Sequence, residues 1–167
     1  AKSGHPGIVL GAAPIITTLY ANHIKVDIND DKWINRDRFV MSAGHGSALL
    51  YSTLFMAGYN IPFEELKNFR QMNSQTPGHP EIGVTKGVDV STGPLGEGLA
   101  TSVGIAISEC YLRQHFGKDL INYYTYVLCG DGDLMEGISY EACSLAGLLE
   151  LNKLIVLYDS NNICLDG

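Results

Sequence analysis

Three short apolar runs stand out along the chain, and each is bounded by polar or glycine-rich residues. They are "RFVMS" (38–42), "YYTYVLC" (123–129) and "KLIVLYD" (153–159). Nearly continuous apolar runs of this length are typical of strands in a parallel sheet whose two faces are both covered. The pattern therefore predicts three strands, of which the last two, at 123–129 and 153–159, are expected to be covered on both faces.

Longer apolar segments predict helices before and between these strands. The first begins near "SGHPG", with Ser3 as a candidate cap and Pro6 at an early helical position. Its apolar residues lie on more than one side, which predicts a buried helix with a kink at Pro14. Further helices are predicted over residues 47–58, 62–72, 99–116 and 138–150. The alternation of strands and helices predicts an α/β fold, a parallel sheet with helices on both faces.

Length and composition indicate a single domain, residues 1–167, that can bury a core. Apolar residues make up 46% of the chain and charged residues 17%, as in ordinary globular proteins. The formal net charge is −7 and the pI about 5.1, so we expect neither a nucleic-acid partner nor a membrane partner. An anionic ligand would have to be bound by backbone amides or through a metal ion.

The cysteines and the chain ends indicate the compartment of the protein and whether the chain is part of a longer one. The four cysteines show no CxxC pair, so we expect reduced and mostly buried thiols in a cytoplasmic protein. No signal peptide and no apolar run of membrane-spanning length is visible. The chain starts at Ala1 and stops soon after a predicted strand, so we expect a piece of a longer protein. The alternative, a processed but complete small protein, stays open at this point.

Polar clusters follow each predicted strand: "SAGHG", "GDGD" and "DSNN". The carboxyl ends of parallel strands are where ligands bind in α/β sheets, so Asp131 and Asn161 are expected at adjacent strand ends. Their oxygens suit Mg²⁺, and Gly130 and Gly132 would leave room for a phosphate at the amide end of the next helix. The plainer alternative is that "GDGD" is only a strand-to-helix turn.

The spacing of "GDG" and "NN", about 30 residues apart across one helix and one strand, resembles the diphosphate–metal motif of thiamine diphosphate enzymes. The resemblance extends to the transketolase family through five collinear motifs. These are "SGHPG", "INRDRFVMSAGHGSALLY", "TPGHPE", "STGPLGEG" and "GDGDLMEGISYEACSLAG" with the later "NN". They cover almost the whole chain and are similar to the amino-terminal diphosphate-binding domain of that family.

The resemblance implies specific roles for individual residues. The divalent-metal ligands, for Mg²⁺ or else Ca²⁺ or Mn²⁺, would be Asp131, Asn161 and the main-chain oxygen of Ile163. Thiamine diphosphate would contact His45, Gly93, Pro94, Leu95, Gly132 and the metal-bound Asn161. The residues with catalytic roles would be His5 and His79, which bind sugar hydroxyls and assist proton transfer, and Glu136, which joins two active sites at a subunit interface.

Two positions depart from the family pattern, and two histidines carry no assigned role. The family often has a neutral residue at the positions of Asp133 and Glu97, which we interpret as tolerated changes at the periphery of the site. His23 and His115 are expected to end helices and to interact favourably with the helix dipole.

The family resemblance implies a transketolase of the pentose phosphate pathway, which moves a two-carbon glycolaldehyde unit from ketose phosphates to aldose phosphates. Its homodimer would pair this domain with a pyrimidine-binding domain that these residues do not contain, so we expect the chain alone to be inactive and to expose an apolar face. Two alternatives remain: another thiamine diphosphate enzyme, such as 1-deoxyxylulose-phosphate synthase or a 2-oxo-acid dehydrogenase subunit, and a non-catalytic small subunit or assembly module of a split enzyme.

Overall fold

A computed structural model describes residues 1–164 and contains a three-stranded parallel sheet. The strands are β1 (Arg38–Met41), β2 (Thr125–Gly130) and β3 (Leu154–Asp159), in the order β1-β2-β3. In the register, Val127 of β2 lies beside Val40 of β1 and Val156 of β3. The predicted parallel sheet is confirmed.

Six helices accompany the sheet in the described part of the chain. They are α1 (Pro6–Asn22), α2 (Ser47–Met56), α3 (Phe63–Lys67), α4 (Glu97–Phe116), α5 (Asp131–Met135) and α6 (Gly137–Leu148). A single 3₁₀ turn, Gly44–Gly46, connects β1 to α2. No helix within residues 1–164 has both the length and the apolar character needed to cross a membrane.

Strands β1 and β2 bury side chains on both faces because successive side chains point in opposite directions. The prediction that β3 is also buried is wrong, since none of its residues is fully buried and Val156 is 42% exposed at this edge of the described sheet. Met41 and Leu128 pack in one cluster with residues of α1 and α2. Val40 and Val127 pack on the opposite face against Leu99 of α4. Full burial of one such side chain contributes about 1.5–3 kcal/mol, so these two clusters fix the sheet between its helices. The prediction of helices on both faces is therefore confirmed.

Helix α1 differs from the prediction in its cap and in its burial. Its N-cap residue is His5 and not Ser3, no side chain caps it there, and it runs as one element across Pro14. Its buried residues form a single stripe: Ile8, Ala12, Ile16 and Leu19. Leu10, on another side, is 77% exposed. The prediction that α1 is a buried helix is wrong, because the sheet and α2 contact only one of its faces.

The helix predicted over residues 62–72 ends at Lys67. Arg70 and Asn73 have positive φ angles of 63°, a left-handed conformation that interrupts an α-helix. The backbone turns back instead, and the N–H of Arg70 donates to the carbonyl of Thr76 at 3.0 Å. The carboxylate of Glu65 also accepts the N–H of Gln75 at 2.6 Å. These bonds replace the last helical turn.

The cysteines are less buried than predicted. Only Cys129, on β2, is buried, and that burial raises the pKa of its thiol to about 12. Cys143 is exposed, and Cys110 and Cys164 are partly exposed. The prediction of mostly buried thiols is wrong because α6, which carries Cys143, covers α4 with only one of its faces.

Candidate active site

The ends of β2 and β3 are joined through Asp131. One oxygen of its carboxylate, Oδ2, accepts the main-chain N–H of Asn161 at 3.1 Å and of Asn162 at 2.7 Å. The hydroxyl of Tyr158 donates to the other oxygen, Oδ1. The structure thus places the aspartate and the asparagine loop at the same edge of the sheet, because their strands are parallel neighbours.

The oxygens at this edge have the chemistry of a divalent-cation site. The Asn161 amide oxygen accepts the N–H of Ile163 at 3.0 Å, and its nitrogen donates to Asp159 at 3.1 Å, so the loop folds around this side chain. The hydrogen bond from Tyr158, followed by those from the loop amides, lowers the pKa of Asp131 and keeps it ionised at neutral pH.

A carboxylate, a side-chain amide oxygen and a main-chain carbonyl are the hard ligands that Mg²⁺ and Ca²⁺ prefer. Ile163, whose carbonyl was predicted to be a ligand, is 73% exposed on the same loop as Asn161. Residues 1–164 contain no group of three or more His, Cys, Asp or Glu side chains suited to a metal. A cation here would therefore need amide and carbonyl oxygens besides a carboxylate. Asp131, Asn161 and Ile163 offer that combination of oxygens.

The "GDGD" turn is itself helical, which differs from the prediction. The five residues from Asp131 form α5, and the longer helix α6 begins only at Gly137. The amide end of a long helix therefore does not directly follow the turn.

The glycines of the turn differ in how closely other segments approach them. A Cβ atom on Gly132 would lie 3.0 Å from Cδ1 of Leu95, so the absence of a side chain allows the turn to approach the 93–95 loop. A Cβ on Gly130 would meet nothing within 4 Å.

Asp133 is a buried acid within the same turn. It is 1% exposed, and its carboxylate accepts three hydrogen bonds. The donors are the Ser42 hydroxyl at 2.7 Å and the N–H groups of Gly96 and Gly130, both at 3.0 Å. Asp133 is therefore a buried acceptor, whereas Glu97 is exposed. The bond from the Gly130 N–H could have been predicted, because an acid at the third position of a helix commonly accepts the N–H of the residue that caps it. Nothing in the sequence indicates that Ser42 and Gly96 also donate to Asp133.

The 93–95 loop packs between the two histidine-bearing segments. A Cβ on Gly44 would lie 2.9 Å from the nitrogen of Gly93, and a Cβ on Gly93 would lie 3.5 Å from Cγ of His79. The hydroxyl of Thr92 donates to the carbonyl of Met41 at 2.7 Å and anchors the loop to the end of β1. Pro94 is exposed and Leu95 is partly buried beside the turn of α5.

Three histidines meet around this loop. The rings of His5 and His45 make an edge contact with centroids 5.0 Å apart. Burial, followed by the nearby His5, lowers the pKa of His45. Burial, followed by the Arg70 guanidinium and His5, lowers the pKa of His79. Both imidazoles are consequently neutral at pH 7 and can accept a proton.

The remaining predicted residue, Glu136, lies at the surface beside the loop. It is exposed at the start of α6, and a Cβ on Gly96 would lie 2.9 Å from the Cβ of Glu136. His23 and His115 lie at the last turns of α1 and α4, so the prediction that they end helices is confirmed.

Two residues of α2 support the His79 loop and were not identified from the sequence. The hydroxyl of Ser47 donates to the carbonyl of Gly78 at 2.7 Å. The hydroxyl of Tyr51 lies 3.0 Å from the carbonyl of Pro77 and 3.1 Å from that of His79. Nothing in the local sequence distinguishes these side chains from ordinary helix-core residues.

Comparisons with known proteins agree with this arrangement. The family described as "Transketolase, thiamine diphosphate binding domain" matches residues 1–167. Transketolase from Bacillus subtilis is 58% identical over the whole chain, and transketolase 1 from Escherichia coli is 55% identical; the chain spans about a quarter (26%) of each.

Solved structures give the same result. Transketolase from Leishmania mexicana superposes with a TM-score of 0.96 at 55% identity, over 99% of this chain and 25% of that one. The Campylobacter jejuni enzyme superposes with a TM-score of 0.95 at 56% identity, over 99% of this chain and 26% of that one. The chain therefore belongs to the transketolase thiamine diphosphate binding domain family.

Proposed function

We propose that the protein containing this chain is a transketolase of the pentose phosphate pathway, which transfers a glycolaldehyde unit from ketose phosphates to aldose phosphates. In this proposal the chain supplies the half of the site that binds the diphosphate of thiamine diphosphate and a divalent cation, preferably Mg²⁺. The observation that carries the proposal is the junction of Asp131 with the Asn161 loop at one sheet edge, within a chain of this family.

The residues at that junction would hold the cofactor. Asp131, Asn161 and the carbonyl of Ile163 would bind the cation, and Gly132 and His45 would contact the diphosphate. Gly93, Pro94 and Leu95 would lie along the thiamine rings, in line with the contact between Leu95 and the Gly132 turn. When bound, thiamine diphosphate supplies the carbanion that such a transfer requires.

The histidines would act on the sugar. His5 and His79 would bind its hydroxyl groups and move protons. The lowered pKa of His79 suits this task, because its imidazole stays neutral at pH 7. Glu136, which is exposed at the start of α6, would contribute to an acidic connection between two subunits.

The partner in this proposal is a second copy of the protein, whose pyrimidine-binding domain would complete the site in a cytoplasmic homodimer. Large exposed apolar side chains on α6 and β3 support an interaction there: Ile138, Leu145, Leu148 and Val156. The alternatives of a different thiamine diphosphate enzyme or a non-catalytic subunit are not favoured, because the relatives that match the whole chain are named transketolase.

The proposal is tested with the full-length protein, thiamine diphosphate and Mg²⁺. We expect turnover of xylulose 5-phosphate with ribose 5-phosphate and no turnover of pyruvate, and we expect residues 1–167 alone to be inactive. Asp131→Asn should raise the Mg²⁺ concentration for half-maximal activity by about tenfold or more, because an amide is a weaker ligand than a carboxylate. The control Asp119→Asn alters an exposed carboxylate of the 117–124 loop and should leave that concentration unchanged. Activity with pyruvate alone, or equal Mg²⁺ requirements in both variants, would contradict the proposal.

A further inference from the structure

Asp133 lies where three chain segments of the site converge, and each segment donates one hydrogen bond to its carboxylate. Ser42 follows β1, Gly96 precedes α4 and Gly130 ends β2. The main-chain carbonyl of Asp133 also accepts the Ser139 hydroxyl at 2.5 Å, which ties the start of α6 to the same residue. Resting on the proposed function, we propose that Asp133 is a positioning residue that holds the 93–95 loop against the metal-binding turn.

The carboxylate is the acceptor that this position requires, because all three partners donate. The oxygen of Ser42 accepts the N–H of Leu99 at 3.0 Å, so its own hydrogen is directed to Asp133. The other two donors are main-chain N–H groups, which cannot reverse their role. A neutral amide in place of Asp133 would direct its NH₂ group toward at least one of these donors and leave that donor unpaired in a buried position.

The segments that Asp133 connects also touch each other directly. Gly132 and Leu95 are so close that a Cβ on the glycine would lie 3.0 Å from Leu95 Cδ1. On the other side, a Cβ on Gly98 would lie 2.6 Å from Cα of Ser42, so α4 is pressed against the end of β1. The carboxylate adds hydrogen bonds to Gly96, which follows the loop, and to Gly130, which precedes the turn. Its loss removes these bonds, so we expect the loop and the turn to hold their relative position less firmly.

The test is Asp133→Asn in the full-length protein. Calorimetry with Mg²⁺ measures the Kd for thiamine diphosphate, thermal unfolding of the cofactor-free protein measures Tm, and kinetics gives kcat at saturating cofactor. We expect the Kd to rise by about tenfold or more, which is the usual effect of removing a residue that orients ligand-binding groups. We expect kcat at saturating cofactor to fall by a smaller factor. The matched control is Glu141→Gln, which alters an exposed carboxylate of α6 and should leave the Kd unchanged.

A second variant covers the case in which Asp133→Asn does not fold. Ser42→Ala removes one donor to the carboxylate and the acceptor of the Leu99 N–H, but keeps the two main-chain donors to Asp133. We therefore expect a smaller rise in the Kd, about threefold or more. A lower Tm with an unchanged Kd in the folded variants would overturn the positioning role and leave the proposed function standing. If the unaltered protein does not bind thiamine diphosphate, both proposals fail.

Discussion

Gly44 separates the His45 turn from the 93–95 loop, and its replacement by alanine tests how closely these segments must approach. A Cβ atom at this position would lie 2.8 Å from the Thr92 hydroxyl oxygen, 2.9 Å from the Gly93 nitrogen and 3.0 Å from the Thr92 carbonyl carbon. Two of these three atoms belong to the backbone and cannot rotate away. The Thr92 hydroxyl is itself bound to the carbonyl of Met41.

The contact distances give the size of the expected effect. Overpacking of this kind costs about 1–3 kcal/mol, because the backbone must shift to restore normal contacts. For a domain of this size, a loss of about 2 kcal/mol lowers Tm by about 4–8 °C. Since the shift moves Gly93 away from His45, the affinity for thiamine diphosphate should fall as well.

Thermal unfolding and calorimetric titration with thiamine diphosphate and Mg²⁺ measure both effects. The control is Gly104→Ala in the interior of α4, where a Cβ would meet nothing within 4 Å. Alanine there should stabilise the helix by about 0.5–1 kcal/mol. Gly44→Ala with the Tm and affinity of the unaltered protein would refute the close approach of the two segments.

The other predictions concern protonation and a buried charge. Folding lowers the pKa values of His45 and His79, so the unfolded chain binds protons more readily than the folded one. The folded state is therefore most favoured by these groups above pH ~6.5, and this stabilisation is lost as the pH falls through their lowered pKa values. Urea unfolding at pH 7.5 and 5.5 should therefore show lower stability at pH 5.5, and higher stability there would contradict the prediction. Glu109 is fully buried 2.6 Å from Lys153, so Glu109→Ala should cost about 3–5 kcal/mol in urea unfolding. Glu64→Ala, which breaks an exposed pair, should cost less than about 1 kcal/mol, and equal losses would refute the reasoning.

Much of the fold could be predicted from local sequence patterns. The apolar runs around Val40, Val127 and Val156 mark the strands, and for β1 and β2 the reason is that a strand covered on both faces has no polar side chain to place. The same kind of run did not indicate how far β3 is buried, since Val156 is 42% exposed. The positions of Asp131 and Asn161 at one edge follow from the same pattern, since parallel neighbours end on the same side of a sheet. The hydrogen bond from the N–H of Asn161 to Oδ2 of Asp131, at 3.1 Å, lies at that shared edge.

Where prediction failed, backbone hydrogen bonds or tertiary contacts that hydrophobic periodicity does not encode decided the outcome. The helix beginning at Phe63 ends early because Arg70 bonds to Thr76 and not to the preceding turn. Helix α1 is apolar on several sides, yet the sheet and α2 cover only one of them, and Leu10 stays exposed. Local propensity contains no information about which face a neighbour will cover.

The sequence by itself determined the order of the elements, the parallel sheet and the edge at which ligands would bind, because side-chain periodicity and strand ends are local properties. Only the tertiary structure decided that Asp133 is buried, that Ser42 and Gly96 donate to it, and that His79 and the Gly44–Gly46 turn pack against the 93–95 loop. Ser42 and Asp133 are 91 positions apart in the chain, and their 2.7 Å bond exists only after β1, β2 and α4 have packed. Hydrogen bonds across such separations depend on packing geometry, which no local pattern of residues contains.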